Sequence, residues 1–111
     1  MKLRALALML SLSPVLATLP ALAADTEIVV TIKDHQFAPK ELRVPTGQKI
    51  KLIIDNQDAT PEEFESHELN REKIIAAKSK ASVYIGPLKA GKYPFFGEFN
   101  QTSAQGVVIA E

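Results

Sequence analysis

The 111-residue chain has no cysteine and no tryptophan, and its two methionines, Met1 and Met9, both fall near the N-terminus. Without cysteine there is no disulfide framework and no thiolate to serve as nucleophile or metal ligand. Beyond Met9 the chain has no sulfur, so any ion held there must sit on nitrogen or oxygen. An excess of positive charge is also missing, because 13 basic side chains stand against 13 acidic ones. Long apolar runs are scarce, and the longest of them lies at the start of the chain.

That start has a recognisable grammar. Lys2 and Arg4 give a short positive region, Ala5 to Leu19 an apolar run broken by Ser11, Ser13 and Pro14, and Ala21-Leu22-Ala23 a small-x-small cleavage site. This is the pattern of a secretory signal peptide. The apolar run is shorter and more interrupted than the ~20 residues a membrane span requires. We therefore expect residues 1–23 to direct export to the periplasm and residues 24–111 to form one mature domain, with no stable membrane insertion after cleavage. Setting aside Lys2 and Arg4 leaves 11 basic against 13 acidic side chains, a net charge of −2, which argues against nucleic acid as a partner.

In the mature part, short β-branched stretches alternate with turn residues. Glu27–Lys33, Phe37–Val44, Gln48–Asn56, Lys80–Ile85, Lys92–Phe96 and Gln105–Ala110 read as strands, and Pro45-Thr46-Gly47 and Gly86-Pro87 as turns. Phe64–Ala77 reads as extended pieces around an irregular turn. About seven strands with turn signals every eight to twelve residues predict an all-β, antiparallel Greek-key β-sandwich.

Two stretches carry the chemistry: Asn56–Leu69, rich in carboxylates and containing His67, and Tyr93–Asn100, containing Glu98. If strands one, two and three are successively antiparallel, Gly47 lies at one end of the sandwich, and His35, Glu63 and Glu98 gather at the other. In an extended strand Glu63, Glu65 and His67 share a face. Carboxylates and imidazole suit iron, manganese or divalent copper, and a cation would relieve the repulsion among the acids. The metal candidates are thus Glu63, Glu98, His35, His67 and Glu65. The plainer alternative is a solvated acidic loop, with Phe64, Tyr93, Phe95, Phe96 and Phe99 serving only as core or rim packing. A catalytic dyad is disfavoured, because Ser66 and His67 are neighbours on opposite strand faces.

The spaced pattern Phe37-x-Pro39, Leu42-x-Val44, Gly47, Asn56-x-Asp58, Phe64, Leu88-Lys89-x-Gly91-x-Tyr93-x-Phe95-Phe96 and Gly106-Val107-Val108 resembles a cupredoxin. More narrowly, with Glu65-Ser66 and Leu69-Asn70-Arg71-Glu72-Lys73, it is similar to the cupredoxin-like domains of bacterial periplasmic iron-uptake systems. Where a blue-copper member would carry histidine, cysteine, histidine and methionine, this chain has Glu63, Gly97, Asn100 and Ala104-Gln105. A type 1 copper site depends on a thiolate and is not expected. The resemblance implies an iron or copper ion as cofactor, and a periplasmic iron-binding protein and an inner-membrane iron permease as partners. It also implies an accessory role in ferrous iron oxidation rather than a free-standing enzyme. The alternatives are a metal-free β-sandwich interaction module and a copper-binding electron-transfer protein.

Overall fold

A computed structural model describes residues 11–14 and 25–111; the rest of the expected signal segment lies outside the described residues. Among the described residues there are nine strands: β1 (Thr26–Lys33), β2 (Gln36–Ala38), β3 (Glu41–Val44), β4 (Ile50–Asn56), β5 (Glu62–Ser66), β6 (Arg71–Ile75), β7 (Lys80–Ile85), β8 (Gly91–Gly97) and β9 (Gln105–Ala110). One 3₁₀ turn, Glu98–Asn100, follows β8. The strands form two sheets, ordered β2-β1-β4-β7 and β3-β9-β8-β5-β6. Among the described residues no helix is long and apolar enough to cross a membrane.

The all-β sandwich is as expected, with two corrections. Phe37–Val44 is not one strand, because the chain leaves the first sheet after Ala38 and enters the second at Glu41. Pro39, which cannot donate to a ladder, marks the crossing. The sheets are also mixed rather than wholly antiparallel, since β1 runs parallel to β4 and β3 parallel to β9. The placement of the loops survives by this different route. Because β1 and β4 run the same way, with Ile32 opposite Asn56, the ends of both strands arrive at one end of the sandwich.

Period-two burial explains the packing. Along β4, Ile50, Leu52, Ile54 and Asn56 are buried while the residues between them are partly exposed. Phe37, Phe64 and Phe95, each at most 1% exposed, bridge the two sheets with ring centroids 4.9 to 6.2 Å apart. Each such ring contributes about 1.5–3 kcal/mol relative to exposure. Their contacts add about 0.5–1.5 kcal/mol per aromatic pair.

Asn56, the last inward position of β4, is fully buried and organises the loop that follows. Its Nδ2 donates to the carbonyls of Thr60 (2.9 Å), Ile75 (3.2 Å) and Ala76 (3.3 Å), and its Oδ1 accepts from the Asp58 N–H at 3.0 Å. One amide thereby ties the β4–β5 loop to the end of β6. Replacing Asn56 by Ala should lower unfolding free energy by about 2 kcal/mol, since buried backbone groups lose their partner. Urea denaturation measures this, and a loss below about 0.5 kcal/mol, the scatter of ordinary surface changes, would refute the role.

Candidate metal centre

Strand β5 presents two sets of acids to two different environments. Phe64 points into the aromatic core, so by alternation Glu62 and Ser66 also point inward and Glu63 and Glu65 outward. Glu62 is only 1% exposed, and its carboxylate accepts hydrogen bonds from the N–H groups of Glu63 (3.0 Å) and Phe99 (2.9 Å) and from Asn100 Nδ2 (2.6 Å). It thereby secures the 3₁₀ turn that carries Glu98.

The same inner carboxylate fills the space where the family resemblance would put copper ligands. A Cβ built on Gly97 would lie 2.6 Å from the Glu62 carboxyl carbon and 2.7 Å from the Ala104 Cβ, so no side chain fits there. Asn100 is already engaged by Glu62. Ala104 is fully buried. Type 1 copper therefore does not fit, both because the chain has no sulfur at the required position and because that position is packed shut.

The outer face differs. Carboxylate oxygens of Glu63, Glu65 and Glu72 lie within 4.8 Å of one another. Glu65 and Glu72 are direct cross-strand partners on β5 and β6, and Glu63 stands diagonally from Glu72 across the same ladder. Glu98, at the start of the 3₁₀ turn, is a further acid near enough to act on Glu65. Five ion pairs occur among the described residues, and none of them includes any of these four acids. Glu63 is only 8% exposed, and the ionisable groups that act on it are all carboxylates: Glu72, Glu65 and Glu98.

Like charges held this close retain protons. The hydrogen bond to Glu72 is the leading reason that the Glu63 carboxyl is pushed up to about 7, reinforced by burial and by repulsion from Glu72, Glu65 and Glu98. Glu65 is likewise raised, first by its hydrogen bond to Glu98, then by burial and by repulsion from Glu98 and Glu72; His67 pulls the other way.

The expected metal residues thus fall into separate places. Glu63 and Glu65 come together, Glu98 borders them, and His67 sits just beyond β5 with its ring 5.6 Å from that of Phe96. His35 is not brought to this group. It occupies the β1–β2 turn with Asp34, both at positive φ (57° and 51°), and Asp58 accepts both of their N–H groups at 3.0 and 2.8 Å. The His35 Nδ1 lies 3.6 Å from an Asp58 oxygen. The hydrogen bonds from His35 and Asp34, offset in part by burial, hold the Asp58 carboxyl below its ordinary value. Glu72 was not singled out from sequence, although its place opposite Glu65 follows once Phe64–Ala77 is read as a hairpin.

A mixed two-sheet sandwich with an aromatic centre and loop-end ligand positions defines a cupredoxin-type scaffold. The chain belongs to the family of the cupredoxin-like domain, whose model matches residues 3–110. It is 52% identical over 83 residues to RP394, an uncharacterized protein of Rickettsia prowazekii (strain Madrid E); the match covers 75% of this chain and 66% of the relative's length. Among solved structures it is similar to auracyanin A, a blue copper protein from Chloroflexus aurantiacus, at 15% identity and a TM-score of 0.69, covering 79% of this chain and all of that one. It is also similar to the metal-binding domain of the Streptococcus pneumoniae D39 Cu(I)-exporting P-type ATPase CopA, at 11% identity and a TM-score of 0.69, covering 77% of this chain and 84% of the domain. At these identities the two structures establish the shared fold alone.

The raised carboxyls give stability a definite pH dependence. A carboxyl whose folded value exceeds its unfolded value stabilises fully below the unfolded value and loses that contribution as pH rises through the folded one. For Glu63 the window runs from 4.5 to about 7, with Glu65 acting in the same direction. Asp58 has the opposite sign and acts only around and below 3.8. The metal-free protein should therefore melt at progressively lower temperature from pH 4.5 to 7. Glu63→Gln should flatten the slope. A level profile in the unaltered protein would show that the acids do not crowd one another.

Proposed function

We propose that this chain is an exported metal-binding protein that holds an iron or copper ion on the carboxylates of Glu63, Glu65 and Glu72, with Glu98 and His67 at the margin. The observation that carries the reading is Glu63: a carboxylate 8% exposed, without an ion-pair partner among the described residues and beside three further acids. An arrangement that repels itself in the absence of a cation is the arrangement a cation stabilises. Oxygen ligands select cations harder than monovalent copper.

The copper-protein descriptions of the similar structures support copper as one candidate, and the all-oxygen ligand set favours its divalent form. The resemblance of Leu69–Lys73 and its surroundings to iron-uptake domains supports a setting in periplasmic iron acquisition, with a periplasmic iron-binding protein and an inner-membrane permease as partners. Export itself rests on Lys2, Arg4 and the apolar run to Leu19. Electron transfer of the blue-copper kind is disfavoured by the packing around Gly97.

Titration calorimetry with cupric, ferrous and ferric ions near pH 7 tests the assignment. Glu63→Gln and Glu72→Gln should each weaken binding by at least ~10–100-fold, the loss typical of residues that merely support a metal ligand. His35→Ala should leave binding unchanged. No heat with any of the three ions, or a Glu63→Gln variant that binds like the unaltered protein, would favour a metal-free interaction module instead.

A further inference from the structure

We propose that the outer face of the β2-β1-β4-β7 sheet pairs with the same face of a second copy of this chain. The surface lies on the opposite side of the sandwich from the acids of β5 and β6, and the inference stands apart from the metal reading. Side-chain alternation fixes what the face presents. Val30 and Ile32 of β1, Leu52 and Ile54 of β4, and Val83 and Ile85 of β7 are buried in the core, so the residues alternating with them point outward. Strand register arranges those outward residues in three rows across the sheet. Glu27, Lys51 and Tyr84 form the first, Val29, Ile53 and Ser82 the second, and Thr31, Asp55 and Lys80 the third. The middle row is the apolar one, and Val29 within it is 53% exposed.

The pattern of charge says what covers this face. A two-fold axis lying in the interface, across the strands and through the middle row, sets the first row of each copy against the third row of the other. Lys51 then meets Asp55 of the second copy, and Asp55 meets its Lys51. Tyr84, with an acceptor hydroxyl, meets the Lys80 ammonium. One alternation step beyond the rows on β1, Asp25, held 3.9 Å from Lys49, meets Lys33 of the second copy. Val29 and Ile53 meet their own counterparts and bury apolar surface. Asp55, Lys80 and Lys33 belong to no ion pair among the described residues, so their charges await a partner from outside the chain. The other two-fold open to the face, running along β4, would set Lys51 on Lys51 and Asp55 on Asp55. The face is therefore self-complementary in one orientation, with the strands of the two copies antiparallel and the sheets stacked in the aligned manner. At ~3.3 Å per residue and ~4.8 Å between strands, the face from Asp25 to Lys33 measures about 26 by 19 Å. Two such faces bury on the order of 1,000 Å², the range of weak, transient association rather than of a permanent dimer.

Sedimentation equilibrium of the full chain from about 10 μM to about 1 mM, the span of weak complexes, tests this. A monomer–dimer equilibrium should appear and should weaken as salt screens the charge pairs. Val29→Glu, Lys51→Asp and Asp55→Lys should each raise the dimer dissociation constant about tenfold or more, because each sets like charges against one another across the axis. Combining Lys51→Asp with Asp55→Lys should restore the unaltered value. Lys51 also pairs with Glu27 at 3.5 Å within the chain. Should its reversal unfold the protein, Asp25→Lys and Lys33→Asp, weakening singly and restoring together, repeat the test at two exposed positions. A chain that stays monomeric at the highest concentration would overturn the proposal. So would a dimer indifferent to every single reversal, as association through the apolar N-terminal run would be, or a folded double variant that fails to regain the dimer.

Discussion

The buried carboxylate of Glu62 is the constraint from which the rest of the site follows. It points inward next to Phe64, accepts three hydrogen bonds, and anchors the Glu98–Asn100 turn to β5. A buried charge without a cation must find its compensation in oriented donors, and the Phe99 N–H and the Asn100 amide are among those donors. Because side chains alternate along a strand, fixing Glu62 inward sends Glu63 and Glu65 to the outer face. The acid that closes the inner position and the acids that crowd the outer one are thus consequences of a single register.

That register also separates this protein from copper electron carriers of similar fold. Gly97 cannot bear a side chain while Glu62 and Ala104 stand where they do, and Asn100 is occupied. In the proposed reading the metal ligands lie not inside the sandwich but on the surface of β5 and β6. There Glu65 faces Glu72 across an edge pair, an arrangement destabilising between like charges unless protons or a cation intervene. The neighbouring acids and burial raise the Glu63 and Glu65 carboxyls, the direction that favours protons in that role when no cation is bound.

Much of the fold was legible in the sequence because its cause is local: β-branched runs bounded by Pro, Gly and Asn, with a period of two. The mixed pairing was not, since the parallel neighbours β1 and β4 are joined through a detour into the other sheet that leaves no local mark. The Glu63 and Glu65 side of the site was readable from alternation along one strand. Glu72 was harder, because a cross-strand neighbour depends on hairpin register, and Phe64–Ala77 carries no tight-turn signature. His35 illustrates the converse. Topology carries it to the same end as the β4–β5 loop, but Asp58 claims both N–H groups of its turn and keeps the imidazole beside itself.

The central claim is that this cupredoxin-like domain binds metal through oxygen. Electron paramagnetic resonance of the protein loaded with one equivalent of cupric ion tests it most directly. The account predicts an axial spectrum of oxygen ligation, without resolved nitrogen splitting and unchanged by His35→Ala or His67→Ala. Nitrogen splitting that disappears in either histidine variant would contradict it.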